Sequence, residues 1–114
     1  MQYALLAYPP PKDTDEATRP IADPLAALLD GPPVTGWVRL HAGGSATTLR
    51  KDEGRTLLTD GPFVDSKEYL GGVILIEADN LDGALAIAEE MLQECRPGTA
   101  VEVRPVLDGR FRGA

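Results

Sequence analysis

The chain has 114 residues, enough for one domain spanning residues 1–114 around one hydrophobic core. Apolar residues make up 43% and charged residues 25%, a composition typical of globular proteins rather than disordered or membrane-embedded chains. The 18 acidic residues outnumber the 11 basic ones, and the net charge of −7 disfavours nucleic acid or an anionic membrane as a direct partner.

The single cysteine and the single histidine limit the chemistry that the chain can carry. Cys95 alone excludes an intramolecular disulfide and is expected to be an inert thiol, and His41 alone excludes a multi-histidine zinc site. No apolar run approaches the roughly 20 residues that span a bilayer, and residues 1–8 lack the basic start of a signal peptide. We therefore expect a cytoplasmic protein without a metal or another cofactor.

Hydrophobic periodicity and turn residues divide the chain into six strands and two helices. In chain order these are a strand over 3–8, a helix over 21–30, a strand over 34–40, a hairpin over 47–50 and 56–59, a strand over 69–78, a helix over 81–94 and a strand over 100–106. Residues 9–20 are proline-rich and polar, which predicts a loop. Alternation along the second strand places Trp37 and Arg39 on the same face.

The helix over 81–94 has the clearest pattern, because its apolar residues recur at the spacing of one helical stripe. Asp79 or Asn80 is its expected N-cap, and Asp23 is the expected N-cap of the first helix. The first helix has only about two turns and must pack on a sheet to be stable.

This element order predicts an α+β fold of ferredoxin-like βαββαβ type with an extra hairpin, in which both helices cover one face of a largely antiparallel sheet. The strands are too apolar for the second face to remain in water. We therefore expect a homodimer whose sheets pack face to face and close a small cavity between them.

The most distinctive stretch is Asp60-Gly61-Pro62-Phe63 followed by residues 64–72. Gly61-Pro62 predicts a tight turn, Phe63 is expected to pin that turn to the core, and Gly71-Gly72 is expected to allow the close approach of a backbone or a ligand. This stretch resembles the signature of the DGPF-type branch of the YCII-related family. Further matches lie in residues 1–6, 80–85 and 101–106.

The resemblance implies a dimeric α/β barrel of ferredoxin-like subunits. It also implies a family whose members mostly have no assigned function. They are suspected of being enzymes because a histidine and an aspartate recur, and the DGPF branch is associated with alternative sigma factors. That histidine usually stands in the first helix, whereas residues 21–30 contain none. His41 therefore does not simply inherit its role.

Asp60 and His41 are the candidate catalytic residues. Asp60 can be a general base, or can accept a hydrogen bond from a ligand hydroxyl at the mouth of the cavity; alternatively, its side chain caps its own turn. The imidazole of His41 can shuttle a proton near neutral pH; alternatively, it is a surface residue beside a glycine turn.

The candidate ligand-binding residues are Arg39, Arg50, Phe63, Lys67 and Tyr69. Arginines in a cavity of an acidic protein would select a small carboxylate, but the same residues paired with Asp or Glu would be ordinary surface charges. Lys67 and Tyr69 face the same way on an extended segment and could polarise a carbonyl, or they could form a solvated rim.

Two functions remain open at this point. The favoured one is a homodimer that binds a small ligand or a regulatory partner, because titratable groups are few and an acidic surface suits a basic protein such as a sigma factor. The alternative is a cofactor-independent lyase- or isomerase-like enzyme, with Asp60 as acid/base and Arg39, His41 or Lys67 stabilising an anionic substrate. An enzyme predicts that Asp60 shares an enclosed pocket with His41 or Lys67.

Overall fold

The computed structural model describes residues 1–10, 20–41, 43–63 and 69–110. In chain order its elements are β1 (Gln2–Tyr8), α1 (Asp23–Leu29), β2 (Val34–Arg39), β3 (Thr47–Asp52), β4 (Arg55–Asp60), β5 (Gly72–Glu77), α2 (Leu81–Gln93) and β6 (Ala100–Pro105). The predicted order of elements is confirmed. The largest boundary difference is at β5, which begins at Gly72 and not at Tyr69.

Four strands form an antiparallel sheet in the order β2-β5-β1-β6, and β3 and β4 form a separate two-stranded hairpin. This arrangement is consistent with the predicted ferredoxin-like α+β fold with an extra hairpin. Cross-strand pairing aligns Arg39, Gly72, Ala7 and Val101 in one row at the end of the sheet where β1 ends. Because paired residues share a face, this row and the core side chains lie on the same side.

The core lies between that face and the two helices. Leu5 of β1 and Ile76 of β5 are fully buried, and Ala84 and Met91 of α2 and Leu29 of α1 close over them. Full burial of one large aliphatic side chain stabilises the fold by about 1.5–3 kcal/mol, so these few contacts hold both helices on one face.

The two helices begin differently. Asn80 caps α2, since its Oδ1 accepts a hydrogen bond of 2.9 Å from the backbone N–H of Gly83. The prediction that Asp23 caps α1 is wrong. Ala22 holds the cap position, because its carbonyl accepts the first helical hydrogen bond, from the N–H of Ala26 at 2.9 Å, and Asp23 is already inside the first turn. No described helix is long and apolar enough to cross a membrane.

The hairpin packs far less than the sheet. All residues of β3 and β4 are exposed except the half-buried Thr48, and the cross-strand pair Leu49 and Leu58 is 66% and 67% exposed. The prediction that Phe63 pins the following turn to the core is also wrong, since its side chain is 71% exposed. Its ring instead lies 5.5 Å from the Arg50 guanidinium, a cation–π contact within the hairpin region.

The face of the sheet opposite the helices is apolar in its centre. The register places Leu6 of β1, Val73 and Leu75 of β5 and Val38 of β2 on this open face. Both helices pack on the other side, so neither covers it. The dimer through this face remains a prediction.

Candidate functional site

A pocket of about 340 Å³ lies on the helix side of the sheet, within one chain. Its lining comes from β1, β2, β5 and β6 below and from α1 and α2 above. The cavity expected from the sequence lies between two sheets on the open face, so the pocket in this structure is on the opposite side of the same strands.

The pocket exists because the row at the end of the sheet has small residues in its middle. Gly72 and Ala7 form its floor between Arg39 and Val101. Gly72 is also held against β2, where a Cβ on it would lie 3.0 Å from the Val38 carbonyl oxygen. A larger residue would therefore fill the floor and press on the neighbouring strand.

Gly71 shapes the margin of the same pocket. A Cβ at this position would lie 2.7 Å from Cδ of Pro9, and the Gly71 N–H donates a 2.8 Å hydrogen bond to the Ala7 carbonyl. The expectation that Gly71-Gly72 permits close backbone approach is thus confirmed at Gly72, whereas the group closest to Gly71 is the Pro9 ring.

The walls are mainly apolar and the margin is charged. Trp37 lies beside the floor on β2, Leu25 of α1 and Met91 of α2 form the opposite wall, and Arg39 and Arg96 bring the positive charges. Glu94 is the acidic residue that also lines it. A ligand here would bury apolar surface and meet charged side chains at the margin.

The thiol of Cys95 also lines the pocket. Burial raises its pKa above the usual value, and the nearby Glu94 carboxylate raises it further. The thiol lies 3.3 Å from the Met91 carbonyl oxygen, to which it donates a hydrogen bond. Because the thiol stays protonated near neutral pH, it is a weak nucleophile, as the sequence predicts.

Of the candidate residues named from the sequence, Arg39 lines the pocket. His41 is exposed just beyond β2, and Tyr69 is exposed shortly before β5. Arg50 and Phe63 lie together in the hairpin region, and Lys67 lies outside the described residues. Asp60 and His41 are not among the described residues that line this pocket.

Asp60 is the last residue of β4, where it is exposed and paired with Thr47. The turn after it is held by the other strand of the hairpin: the Gly61 N–H donates to the Ala46 carbonyl, and the Thr48 hydroxyl donates to the Gly61 carbonyl, both at 2.7 Å. Gly61 has a φ of +102°, a conformation that favours glycine. The catalytic and capping roles of Asp60 both remain predictions.

Comparison with known proteins supports the resemblance to the YCII-related family. A model of the YCII-related domain matches residues 1–108. The chain belongs to the YCII-related family. An uncharacterized protein of Rhizobium meliloti (strain 1021) is 44% identical over 69 residues, which cover 60% of this chain. The chain covers only 55% of the length of that relative.

The pocket residues of this YCII-related domain that were not among the site candidates include Trp37, Arg96 and Cys95. Strand alternation had placed Trp37 beside Arg39, and Gly71-Gly72 had marked a close approach, so these two signals together could have located one wall. Arg96 and Cys95 enter because α2 ends above this row and the chain turns back into β6. That juxtaposition depends on tertiary packing and has no local signal.

Proposed function

We propose that this YCII-related domain is a homodimer that binds a small, mainly apolar molecule in the pocket on the helix side of its sheet. The observation that carries the ligand-binding part is the pocket itself, about 340 Å³ lined by Trp37, Leu25, Met91 and other apolar side chains. Ligand pockets run from roughly 300 to 1,000 Å³, so a molecule built on one ring or a short branched chain suits this one.

The placement of the polar residues favours binding over proton transfer. The enzyme alternative requires Asp60 beside His41 or Lys67 in an enclosed pocket. Asp60 ends the hairpin, and neither it nor His41 lines the described pocket. The lyase- or isomerase-like alternative therefore gains no support from this geometry.

Binding can be measured at the two built-in probes of the pocket, Trp37 and Cys95, each of which is the chain's one residue of its type. We expect small aromatic or branched ligands to change Trp37 emission and to slow alkylation of Cys95 by iodoacetamide, followed by intact mass. In urea the same ligands should give no protection. Ligands that leave both probes unchanged across a broad panel would contradict the proposal.

A substitution that fills the floor of the pocket tests whether the ligand binds there. Ala7→Leu places a larger side chain beside Gly72 and should abolish the Trp37 and Cys95 responses to any ligand that the wild type binds. Ala27→Leu makes the same substitution at an exposed position of α1 and should preserve them. Circular dichroism checks that both variants are folded. Unchanged binding by a folded Ala7→Leu variant would show that the ligand sits elsewhere.

The homodimer is supported by the apolar centre of the open face. Val38 is 54% exposed there, beside the half-buried Leu6 and Val73. A second copy packed face to face would remove these side chains from water. We expect sedimentation at micromolar concentration to give a dimer.

A matched pair of lysine substitutions tests that surface. Val38→Lys puts a charge into the open face and should give a folded monomer, whereas Leu85→Lys, at an exposed position of α2 that is 45% exposed, should leave the dimer intact. A wild-type monomer would contradict the dimer and leave the pocket, which lies within one chain, unaffected.

Membership in the DGPF branch is part of this proposal. It is supported by Asp60-Gly61-Pro62-Phe63, where the left-handed φ of Gly61 and the two hydrogen bonds to the β3 side give that sequence a defined turn. Gly61→Ala should strain this turn, whereas Gly44→Ala, which meets nothing within 4 Å and has no such φ, should not. Equal unfolding midpoints would contradict a structural role for the motif.

A further inference from the structure

We infer that the ligand of this pocket is a monocarboxylate, with its anionic group at the end marked by Arg39 and Arg96 and its apolar body against Trp37. This inference rests on the proposed function, which requires only that the pocket binds a small molecule. It adds the chemical class of that molecule and the residues that read it.

The fold brings the two arginines to one end of the sheet from opposite edges. Arg39 is the last residue of β2 and stands in the row with Gly72, Ala7 and Val101. Arg96 follows the end of α2, just before the chain enters β6, and lines the same pocket. Adjacent strands lie about 4.8 Å apart, so the row spans about 14 Å from Arg39 on β2 to Val101 on β6, and Arg96 contributes to the pocket from the segment between α2 and β6.

The charges of the pocket favour an anionic ligand, and they favour a monoanion over a dianion. Among the described residues that line the pocket, Arg39, Arg96 and Glu94 are the charged ones, a formal sum of one positive charge in a chain whose net charge is −7. A guanidinium has five N–H donors and can bind a carboxylate in bidentate geometry while it keeps other contacts. Glu94 and the partial negative charge at the end of α2 both oppose a dianion such as phosphate.

The remaining lining specifies an apolar body. Gly72 and Ala7 leave space directly above the floor, and Trp37 presents an aromatic surface next to it. Trp37 is 41% exposed, so a substantial part of this large aromatic side chain still meets water. A flat ring or a short alkyl chain stacked on its ring would bury that part, which gives a weak acid such as phenylacetate as the matching probe.

Paired ligands that differ only in charge test the inference. Phenylacetate and hexanoate are compared with phenylacetamide and hexanamide, by calorimetry and by Trp37 emission. We expect the acids to bind about tenfold to a hundredfold more tightly than the amides, because the hydrogen bonds to a charged group are lost in the amide. Equal affinity of acid and amide would overturn the carboxylate inference and leave the ligand-binding pocket in place. Absence of binding by all four probes would overturn the carboxylate inference, while pocket binding as such is decided by the broad ligand panel.

Substitutions at Arg39 and Arg96 test whether these two residues bind the carboxylate. Arg39→Met and Arg96→Met should each lower the affinity for the acid toward that of the amide, with the amide affinity unchanged within about twofold. Arg55→Met removes the same charge from the hairpin, away from the pocket, and should preserve the acid preference. Arg39→Lys should retain part of it, because lysine keeps the charge without the planar fork. If both methionine variants are folded and still bind the acid more tightly than the amide, the inference is overturned.

Discussion

The four-stranded sheet and the β3–β4 hairpin contain similar residues. Their side chains differ in burial, because helices cover the sheet. Leu5 in the sheet is fully buried, whereas Leu58 in the hairpin is 67% exposed. Both lie in regular antiparallel ladders, so the backbone pairing is satisfied in each. The difference comes from the second layer, because α2 covers the sheet and no described element closes over Leu58. Strand pairing alone therefore does not make a core.

This contrast also explains where the pocket lies. A helix layer covers the sheet around Leu5 with close contacts, and at the end of the sheet the same layer spans the small residues Gly72 and Ala7. The space left there is protected by the layer and is not filled by side chains. No element in the described ranges covers the hairpin, and two strands alone form no comparable enclosure.

The largest effect should come from breaking the covered region. Leu5→Ala removes a fully buried side chain and leaves a cavity, which should lower the free energy of unfolding by about 2–5 kcal/mol. Leu107→Ala makes the same change at a side chain that is 96% exposed and should stay within about 0.5 kcal/mol of the wild type. Urea unfolding followed by circular dichroism measures both. Equal midpoints would contradict the assignment of Leu5 to the core.

A smaller loss of stability is expected at the pocket margin, where the Gly71 backbone lies against the Pro9 ring. Gly71→Ala puts a Cβ 2.7 Å from Cδ of Pro9, which the neighbouring strand must relieve, and should cost about 1–3 kcal/mol. Gly36→Ala, on β2, meets nothing within 4 Å and should be neutral or slightly stabilising. Thermal unfolding of the pair provides the measurement, and a neutral Gly71→Ala variant would show that the approach is not tight.

The helix α2, which covers the sheet, is capped at its N-terminus by Asn80. Asn80→Ala removes the side-chain acceptor of the Gly83 N–H and should destabilise the protein by about 1 kcal/mol. Asp79→Ala changes the neighbouring residue, which does not hold the cap position, and should have a smaller effect. The comparison is made in urea at constant protein concentration. A larger loss for Asp79→Ala would move the cap by one residue.

Features of the fold that depend on neighbouring residues in the chain can be predicted from the sequence more reliably than features that depend on distant residues. The helical stripe and the N-cap of α2 are local patterns: the stripe is found as expected, and of the two predicted caps, Asp79 and Asn80, the structure has Asn80. The sequence predicts Asp23 as the cap of α1 and the structure has Ala22, because Pro24 fits the first turn equally well at its second position. One residue of shift leaves the local pattern almost unchanged.

The candidate site was less predictable because its residues meet only through the sheet register. Arg39 and Gly72 are neighbours across β2 and β5, although 33 positions separate them in the chain. Phe63 is of a residue type that is often buried, yet its side chain is 71% exposed and no described element covers it. Its contact with Arg50 stays within the hairpin region, and nothing in the local sequence distinguishes a covered strand pair from an uncovered one.

The smallest effect is expected on the hairpin and is the sharpest test of its isolation. Leu49 and Leu58 face each other on one side of the ladder, and Arg50 and Leu57 face each other on the other. Leu58→Lys should change the free energy of unfolding by no more than about 0.5 kcal/mol, because its side chain already meets water. Leu57→Lys, at 41% exposure, should cost somewhat more. If Leu58→Lys instead costs more than Leu57→Lys and the loss grows with protein concentration, the exposed pair is covered by a second copy in solution, and the hairpin belongs to the dimer rather than to one chain.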